Sequence, residues 1–151
     1  MVSRVNESSF NINVIGSVEN EYSNLSESYD STLKSVIIVD DEYASALAGI
    51  DGFSHVMVVG WLHLLPDAMR QRLEAYPSGD DRLPKVGAFA LRGPRPNPVS
   101  VTVCKLVAVS DNTLVVSGLD LVNGTPILDL KPYISEYDSV QDAGLPDWAY
   151  Q

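Results

Sequence analysis

The feature that most constrains the fold is a succession of short β-branched segments separated by turn-forming residues. Branched and aromatic side chains suit the pleated surface of a sheet, so each segment predicts a strand. Where apolar and polar residues alternate, as at Phe10, Ile12 and Val14, the pattern indicates a strand with one buried face. The predicted strands cover residues 10–14, 36–39, 53–61, 85–91, 99–109, 113–116 and 127–130.

Only two short helices are predicted between these strands. One follows Asp40 or Asp41, whose carboxylate would accept hydrogen bonds from the free amides of the first turn. The other covers residues 65–73 and starts at Pro66, where a missing amide hydrogen costs little. The chain therefore lacks the regular strand–helix alternation of a doubly wound sheet, and it has no glycine-rich phosphate loop. The pattern predicts a mainly β protein, a barrel or a sandwich with mostly antiparallel strands.

The charge balance is acidic, with ten Lys and Arg against twenty Asp and Glu, a net charge of −10. This balance argues against broad electrostatic binding of nucleic acid. The distribution qualifies that conclusion, because seven of the ten basic residues lie in residues 70–105, where the local charge is +4. The segment is interpreted either as a solvated face or as a local anion-binding site on an acidic body.

Several classes of protein are excluded or disfavoured by what the sequence contains. No apolar run approaches the roughly 20 residues that a membrane helix needs, and the N-terminal ten residues contain no apolar signal segment. Cys104 is the single cysteine, which excludes an intramolecular disulfide and a four-thiolate zinc site. The only histidines, His55 and His63, have no ligand at metal-binding spacing between them. We therefore expect a cytoplasmic protein without a metal and without a membrane span.

Neither histidine belongs to an evident catalytic pair. Ser54 and His55 are adjacent, and adjacent residues on a strand face opposite sides, so they are not expected to form a dyad. His63 ends an apolar strand, a common place for a binding residue. The alternative is that both rings are held by structural partners.

A proline-rich segment, residues 92–98 (RGPRPNP), is a stronger candidate for function. Three prolines fix the backbone and remove three amide donors, so the side chains are held in place before a ligand arrives. Arg92 and Arg95 carry planar guanidinium groups, which suit a carboxylate or a phosphate. The alternative is a rigid crossing between two strands with arginines on its surface.

Three charged residues interrupt the last apolar segments, namely Asp120, Asp129 and Lys131. Charges inside a strand are costly unless they are paired or exposed. Asp129 could pair with Lys131 on the same strand face, or with an arginine of the proline-rich segment. A carboxylate at a strand end could also accept hydrogen bonds from ribose hydroxyls. A structural network of ion pairs is the alternative.

These motifs occur together, and in this order, in a known family. The blocks are IDGFSH at residues 50–55, WLH at 61–63, VGAFALR at 86–92, RPNP at 95–98, GLD at 118–120, GTP at 124–126 and DLKPY at 129–133. The chain resembles the TrmO family from about residue 14 to residue 137. The resemblance implies one TrmO-like domain over residues 1–140, followed by a polar tail over 141–151. It also implies a small closed or nearly closed antiparallel β-barrel of about seven strands with one or two short helices.

The resemblance further implies a homodimer that binds S-adenosylmethionine and methylates the exocyclic amine of threonylcarbamoyladenosine next to the tRNA anticodon. Asp120 and His63 are the candidate catalytic residues. The cofactor-binding residues implied by motif position are His63, Leu64, Arg92, Val101, Ser117, Gly118, Leu119 and Asp120. The residues implied to complete the cleft or hold its shape are Arg95, Asn97, Asp129, Lys131 and Tyr133.

The chain departs from the family pattern in three places: at residues 19–32, in a segment before RPNP that is one residue shorter, and at Val99 and Ser100, which replace the usual Ile-Gly. Many members carry a Pro-Arg-Gln-rich segment that helps to close the cofactor site, and this chain has the acidic, serine-rich residues 19–32 in that place. Two alternatives to a tRNA methyltransferase follow. The first is a methyltransferase of the same fold that acts on a small molecule, which the acidic charge favours. The second is a cofactor-binding module without catalysis, which is favoured if residues 19–32 leave the cleft open.

Overall fold

Six antiparallel strands close into a barrel in the computed structural model, which describes residues 9–24 and 29–149. The order around the barrel is β1–β2–β7–β6–β3–β8, and β8 pairs with β1 to close it. The barrel strands are β1 (Gly16–Glu19), β2 (Lys34–Val39), β3 (His55–Trp61), β6 (Val99–Ser110), β7 (Thr113–Ser117) and β8 (Pro126–Pro132). Two very short strands, β4 (Glu74–Ala75) and β5 (Val86–Gly87), form a separate ribbon. The prediction of a mainly β, antiparallel barrel is confirmed.

Among the residues that the structure describes, helical structure is limited to short segments. The α-helices are α1 (Asp67–Arg70) and α2 (Ser135–Asp138), and five 3-10 segments cover Asp41–Leu47, Ile50–Gly52, Pro77–Gly79, Ala88–Ala90 and Asp147–Ala149. Within residues 9–24 and 29–149, no helix has the length and apolar character that a membrane crossing requires.

The interior of the barrel is built by alternation along the strands, which is most regular in β2 and β3. In β3, Val56 and Val58 are fully buried while their neighbours face outward, and in β2 Ile37 and Val39 do the same. The core is completed by residues from the other strands, among them Val18, Leu114, Val116 and Ile127. Burying each of these side chains contributes roughly 1.5–3 kcal/mol, and a register slip of one residue would expose a whole set of them.

Two predicted strands are wrong. Phe10, Ile12 and Val14 lie outside any strand with exposed side chains, Phe10 at 79%, and the first strand begins only at Gly16. Of residues 85–91, only Val86 and Gly87 are in a strand. The physical reason is that six strands already close on themselves and leave no free barrel edge for further segments to join.

The first predicted helix forms, but not with the predicted cap. The backbone carbonyl of Asp40, rather than its carboxylate, accepts a hydrogen bond from the amide of Tyr43 at 2.8 Å. The segment is a 3-10 helix, in which such tight backbone bonds replace side-chain capping.

Closure of the barrel requires a glycine at the start of β1. A Cβ at Gly16 would lie 2.1 Å from the carbonyl oxygen of Ile38 on the paired strand β2. Backbone atoms on both sides cannot move apart without breaking the pairing of β1 with β2. Gly16 therefore permits the close approach of the two strands.

We expect Gly16→Ala to lower the free energy of unfolding by about 2–3 kcal/mol, because the added methyl group overpacks a strand pair. Gly52→Ala is the matched control, since nothing lies within 4 Å of a Cβ at Gly52. The control should stay within about 0.5 kcal/mol of the wild type in urea unfolding. Equal effects of the two substitutions would contradict this account of closure.

Candidate functional site

A cleft of about 670 Å³ lies along the outer face of β6, between that strand and the loops around it. Val101 and Val103 expose their side chains on this face and form part of an apolar wall together with Met57 of β3. Six of the residues predicted from the sequence line the cleft: Arg92, Arg95, Val101, Gly118, Asp120 and Tyr133. These residues come from four separate sequence motifs and from strand β6, and barrel closure brings them to one place.

Asp120 is held at the cleft by the turn that follows β7. Gly118 has a left-handed backbone (φ 85°), which reverses the chain, and Leu119 then inserts into the core with 1% exposure. Asp120 consequently emerges on the outside, where its Oδ1 accepts a hydrogen bond from Thr102 Oγ1 at 2.6 Å. This bond fixes one carboxylate oxygen to β6 and leaves the other available.

His63 and Leu64 lie in a second, small cavity of about 60 Å³ rather than in the main cleft. Asp120 lines both spaces, so it connects the two. The two candidate catalytic residues, Asp120 and His63, are therefore brought together in the same small cavity.

The two arginines of the proline-rich segment have different environments. Arg95 donates hydrogen bonds to the backbone carbonyls of Ala88, Leu91 and Gly93, so its guanidinium group holds the loop together. Arg92 is exposed and makes no hydrogen bond or ion pair with any described residue. Of the two guanidinium groups at the cleft, Arg92 is the one that has its donors free for an anion.

Arg70 anchors the same segment from the other side. Its Nε donates to the carbonyl of Pro96 at 2.9 Å, and its guanidinium carbon lies 5.3 Å from the centroid of the Trp61 ring. A cation over an aromatic face is attractive by about 0.5–1 kcal/mol at such partly exposed sites. The segment is thus fixed to β3 and to its own backbone, which agrees with the predicted stiffness.

Asp129 and Lys131 form an ion pair at 2.8 Å, so the first of the two predicted pairings is confirmed. The hydrogen bond from the ammonium group to Asp129, together with the negative charge of Asp129, raises the pKa of Lys131. Neither residue lines the main cleft. Asn97 also lies elsewhere, in a groove of about 580 Å³ that includes Trp61 and Phe10.

Ser117 and Leu119 can offer only limited contacts to a ligand. Ser117 is half-buried at the end of β7, where it pairs with Lys34 and Lys105. The side chain of Leu119 is enclosed by the core, which leaves its backbone atoms as the accessible part.

Three of the seven basic residues over residues 70–105 are paired with neighbouring acids. Arg82 pairs with Asp80 at 2.6 Å, Lys85 with Glu74 at 3.4 Å and Arg70 with Asp67 at 3.6 Å. Arg72, Arg92 and Lys105 have no ion pair among the residues that the structure describes. The interpretation as a solvated face therefore suits these three residues, while Arg92 and Arg95 line the cleft, Arg95 with its guanidinium group bonded to backbone carbonyls.

The prediction that the side chains of Ser54 and His55 face opposite sides is wrong. Ser54 Oγ and His55 Nδ1 lie 2.8 Å apart, because Ser54 precedes β3 and does not follow strand alternation. The His55 ring also meets the Tyr133 ring edge-on, with centroids 6.3 Å apart. Both contacts give His55 structural partners, as the alternative interpretation expected, and its ring supports Tyr133 at the cleft.

Sequence reasoning missed seven residues that line the cleft, namely Tyr29, Met57, Val99, Ser100, Thr102, Val103 and Asp138. Thr102 could have been found, because it follows the predicted cofactor residue Val101 in the same strand. Tyr29 gave one weak signal, an aromatic residue within an otherwise polar stretch. No group of three or more metal-ligating side chains occurs in the part of the chain that the structure describes.

Comparison with known proteins identifies relatives of this chain. Residues 24–139 match the family model of the tRNA-methyltransferase O N-terminal domain. A probable S-adenosyl-L-methionine-binding protein of Methanothermobacter thermautotrophicus is 40% identical over 111 residues, which are 73% of this chain and 77% of that protein. The human tRNA (adenine(37)-N6)-methyltransferase is 37% identical over 108 residues, 67% of this chain but 23% of the human protein.

A solved structure shows the same fold. The crystal structure of TrmO from Pseudomonas aeruginosa aligns with a TM-score of 0.69 and 26% identity, over 90% of this chain and 61% of that one. The chain thus spans about three-fifths of the crystallised protein and about a quarter of the human relative.

Arg95 and Arg92 should differ in their effect on stability. We expect Arg95→Met to lower the free energy of unfolding by about 2 kcal/mol, because three buried or half-buried carbonyls lose their donor. Arg92→Met should change it by less than about 0.5 kcal/mol, since Arg92 has no internal partner. Urea unfolding of both variants provides the measurement, and a larger loss for Arg92→Met would contradict the assignment.

Cys104 should be protected until the barrel opens. Burial on the inner face of β6, and secondarily the charge of Asp120, raise the pKa of its thiol to about 12. At pH 8 we expect a disulfide reagent to react about a thousandfold more slowly with the native protein than with the urea-unfolded protein, because the thiolate is so much rarer.

The same pKa difference makes stability dependent on pH. Because the folded state holds the proton of Cys104 more tightly than the unfolded state does, the protonated thiol favours folding. This contribution to the free energy of unfolding is complete below about pH 9 and is lost between pH 9 and 12. In urea unfolding, the free energy of unfolding of Cys104→Ala should therefore fall less than that of the wild type between pH 9 and 12. An identical decline in variant and wild type would contradict it.

Proposed function

The chain belongs to the TrmO family, and from this premise we propose that it is an S-adenosylmethionine-dependent methyltransferase. Its proposed substrate is the exocyclic amine of threonylcarbamoyladenosine next to the anticodon of tRNA. The observation that carries the proposal is the cleft on β6, which gathers Arg92, Val101, Gly118 and Asp120 from three separate parts of the sequence. The names of relatives, which include a tRNA methyltransferase and S-adenosyl-L-methionine-binding proteins, support the same activity.

The donor groups of the cleft fit the proposed cofactor. The free guanidinium group of Arg92 suits the carboxylate of the methionine part, and the Asp120 carboxylate suits the ribose hydroxyls. The apolar wall at Val101 provides van der Waals contact. Further cofactor contacts are proposed from His63 and Leu64 and from the backbone of Ser117, Gly118 and Leu119.

The remaining predicted residues are proposed to shape the site. Arg95 holds the proline-rich segment, Tyr133 lines the cleft, and the Asp129–Lys131 pair and Asn97 lie on the neighbouring surface. Stiffness of these parts matters because alignment of the reacting groups supplies much of the rate enhancement in a transfer reaction.

When bound, the cofactor supplies an electrophilic methyl group attached to a sulfonium. The acceptor nitrogen must lose a proton as it gains the methyl group, and Asp120 or His63 is proposed to take that proton. The bond from Thr102 orients the Asp120 carboxylate at the cleft. If the remaining Asp120 oxygen binds the ribose hydroxyls, His63 in the adjoining cavity is the group that takes the proton.

Binding of tRNA is proposed to be weak and salt-dependent. The chain carries a net charge of −10, and its unpaired basic residues near the cleft are few. A homodimer would present the basic residues twice, and for this reason we propose that the chain forms a homodimer. The cytoplasmic location expected from the sequence is kept as a proposal. Each phosphate contact would contribute a slope of roughly −0.7 to −0.9 in a plot of log affinity against log salt concentration.

A methyltransferase that acts on a small molecule is the second candidate. The pairing of Arg70, Arg82 and Lys85 with neighbouring acids favours it, because these side chains are not free to bind phosphates. A cofactor-binding module without catalysis is the third candidate. Incubation with labelled cofactor and either bulk tRNA or a metabolite extract separates the three.

We expect Arg92→Ala and Asp120→Ala each to weaken binding of S-adenosylmethionine at least about tenfold in titration calorimetry, because each loses a charge-assisted contact. Arg82→Ala is the control, since Arg82 pairs with Asp80 away from the cleft. Unchanged affinity in both cleft variants would remove the site assignment.

The tRNA substrate is tested separately. Mass spectrometry of tRNA nucleosides should show the methylated threonylcarbamoyladenosine in cells with the protein and the unmethylated nucleoside in cells without it. An unchanged nucleoside profile would eliminate this substrate and leave the small-molecule candidate.

A further inference from the structure

Tyr29 forms part of the cleft wall, although its segment belongs to the stretch that departs from the family pattern. Its side chain is 52% exposed, so much of the ring is open to a ligand. A Cβ at Gly118 would lie 3.7 Å from Tyr29 Oη, which places the phenol beside the turn that presents Asp120. Tyr29 therefore reaches the cleft and covers part of it.

The backbone next to Tyr29 is fixed by Tyr22. The buried Tyr22 Oη accepts a hydrogen bond from the amide of Asp30 at 2.6 Å and donates one to the carbonyl of Asp30 at 3.0 Å. Asp30 Oδ1 also accepts from the amide and the hydroxyl of Thr32, at 2.8 and 2.7 Å. Tyr29 is thus set in position by its neighbour and is not merely a residue of an unanchored loop.

A second set of bonds ties this segment to the turn after Asp120. Asn20 Nδ2 donates to the carbonyl of Leu121 at 2.7 Å, and the amide of Asn123 donates to the carbonyl of Tyr22 at 2.6 Å. The same turn therefore supports both Asp120 and the residues that carry Tyr29. The positions of Asp120 and Tyr29 therefore depend on the same turn.

The chemistry of this pair suits a nucleoside. Partial burial, and then the charge of Asp120, raise the pKa of Tyr29, so the phenol remains neutral at physiological pH. A neutral aromatic ring offers a flat surface on which a planar heterocycle can stack, and a carboxylate beside it can accept from ribose hydroxyls. Ring and carboxylate together match a base and its sugar.

We propose that Tyr29 is a further cofactor-binding residue, whose ring packs against the adenosyl group beside Asp120. The inference rests on the proposed function and adds a residue to its site. It assigns Tyr29, whose neighbour Asp30 is hydrogen-bonded to Tyr22, a role in retaining the cofactor.

The test is titration calorimetry of the full chain with S-adenosylmethionine and with S-adenosylhomocysteine, which share the adenosyl group. Tyr29→Ala should weaken both ligands about tenfold, and Tyr29→Phe should bind both within about twofold of the wild type, because the ring is kept. Tyr76→Ala is the matched control, since Tyr76 is half-exposed and does not line the cleft. Thermal unfolding shows whether the variants remain folded.

The outcomes distinguish this inference from the proposed function. If the wild type binds neither ligand, the proposed function fails and the inference fails with it. If the wild type binds and Tyr29→Ala binds equally well, only the inference is overturned. If Tyr29→Ala lost affinity only for S-adenosylmethionine, the ring would lie at the sulfonium. If Tyr29→Phe lost as much affinity as Tyr29→Ala, the hydroxyl would be the contacting group. Either result overturns the contact between the ring and the adenosyl group.

A double-mutant cycle tests the role of Tyr22 in positioning Tyr29. Tyr22→Phe removes both bonds to Asp30 and should weaken cofactor binding about threefold when Tyr29 is present. In the Tyr29→Ala background the same change should have no further effect, because the ring that Tyr22 positions is gone. Additive losses would overturn the coupling.

Discussion

The pairing of β1 with β8 is the constraint on which the rest of this structure depends. Only two residue pairs form it, Gly16 with Ile127 and Ser17 with Pro126, yet it turns an open sheet into a closed one. Closure leaves no barrel strand with a free edge, so the remaining chain can add to the barrel only through loops on its outside. The cleft is therefore assembled on the outer face of β6, and the polar groups around it come from loops fixed at several separate points.

The order of elements could be predicted from the sequence because it depends on local properties. Five segments of clear β-branched or alternating character, such as residues 113–116, became barrel strands close to the predicted bounds. Residues 10–14 have an equally good alternating pattern but no partner strand, and pairing is a property of the closed sheet that no local pattern contains. The proposed domain boundary near residue 140 stays a prediction.

The candidate site could be predicted only in part. Asp120 and Arg92 were found because their motifs are distinctive, and Asp129 with Lys131 because two residues apart on a strand share a face. The role of Arg95 could not be predicted, since its three acceptors are backbone carbonyls whose direction depends on the folded loop. Tyr29 was missed because its place depends on Tyr22 and on contacts with a turn that lies about 90 residues away in the chain.

The distance in sequence between the two closing strands has a consequence for how the protein folds. β1 and β8 are about 110 residues apart, so the chain must lose a large amount of loop entropy before their hydrogen bonds can form. During synthesis, the β1–β2 hairpin emerges from the ribosome long before β8 exists, and its outer edge stays unpaired until the last strand arrives. The late strand β8 thus completes the cooperative unit, and the hairpin edge is the part of the nascent chain most exposed to intermolecular association.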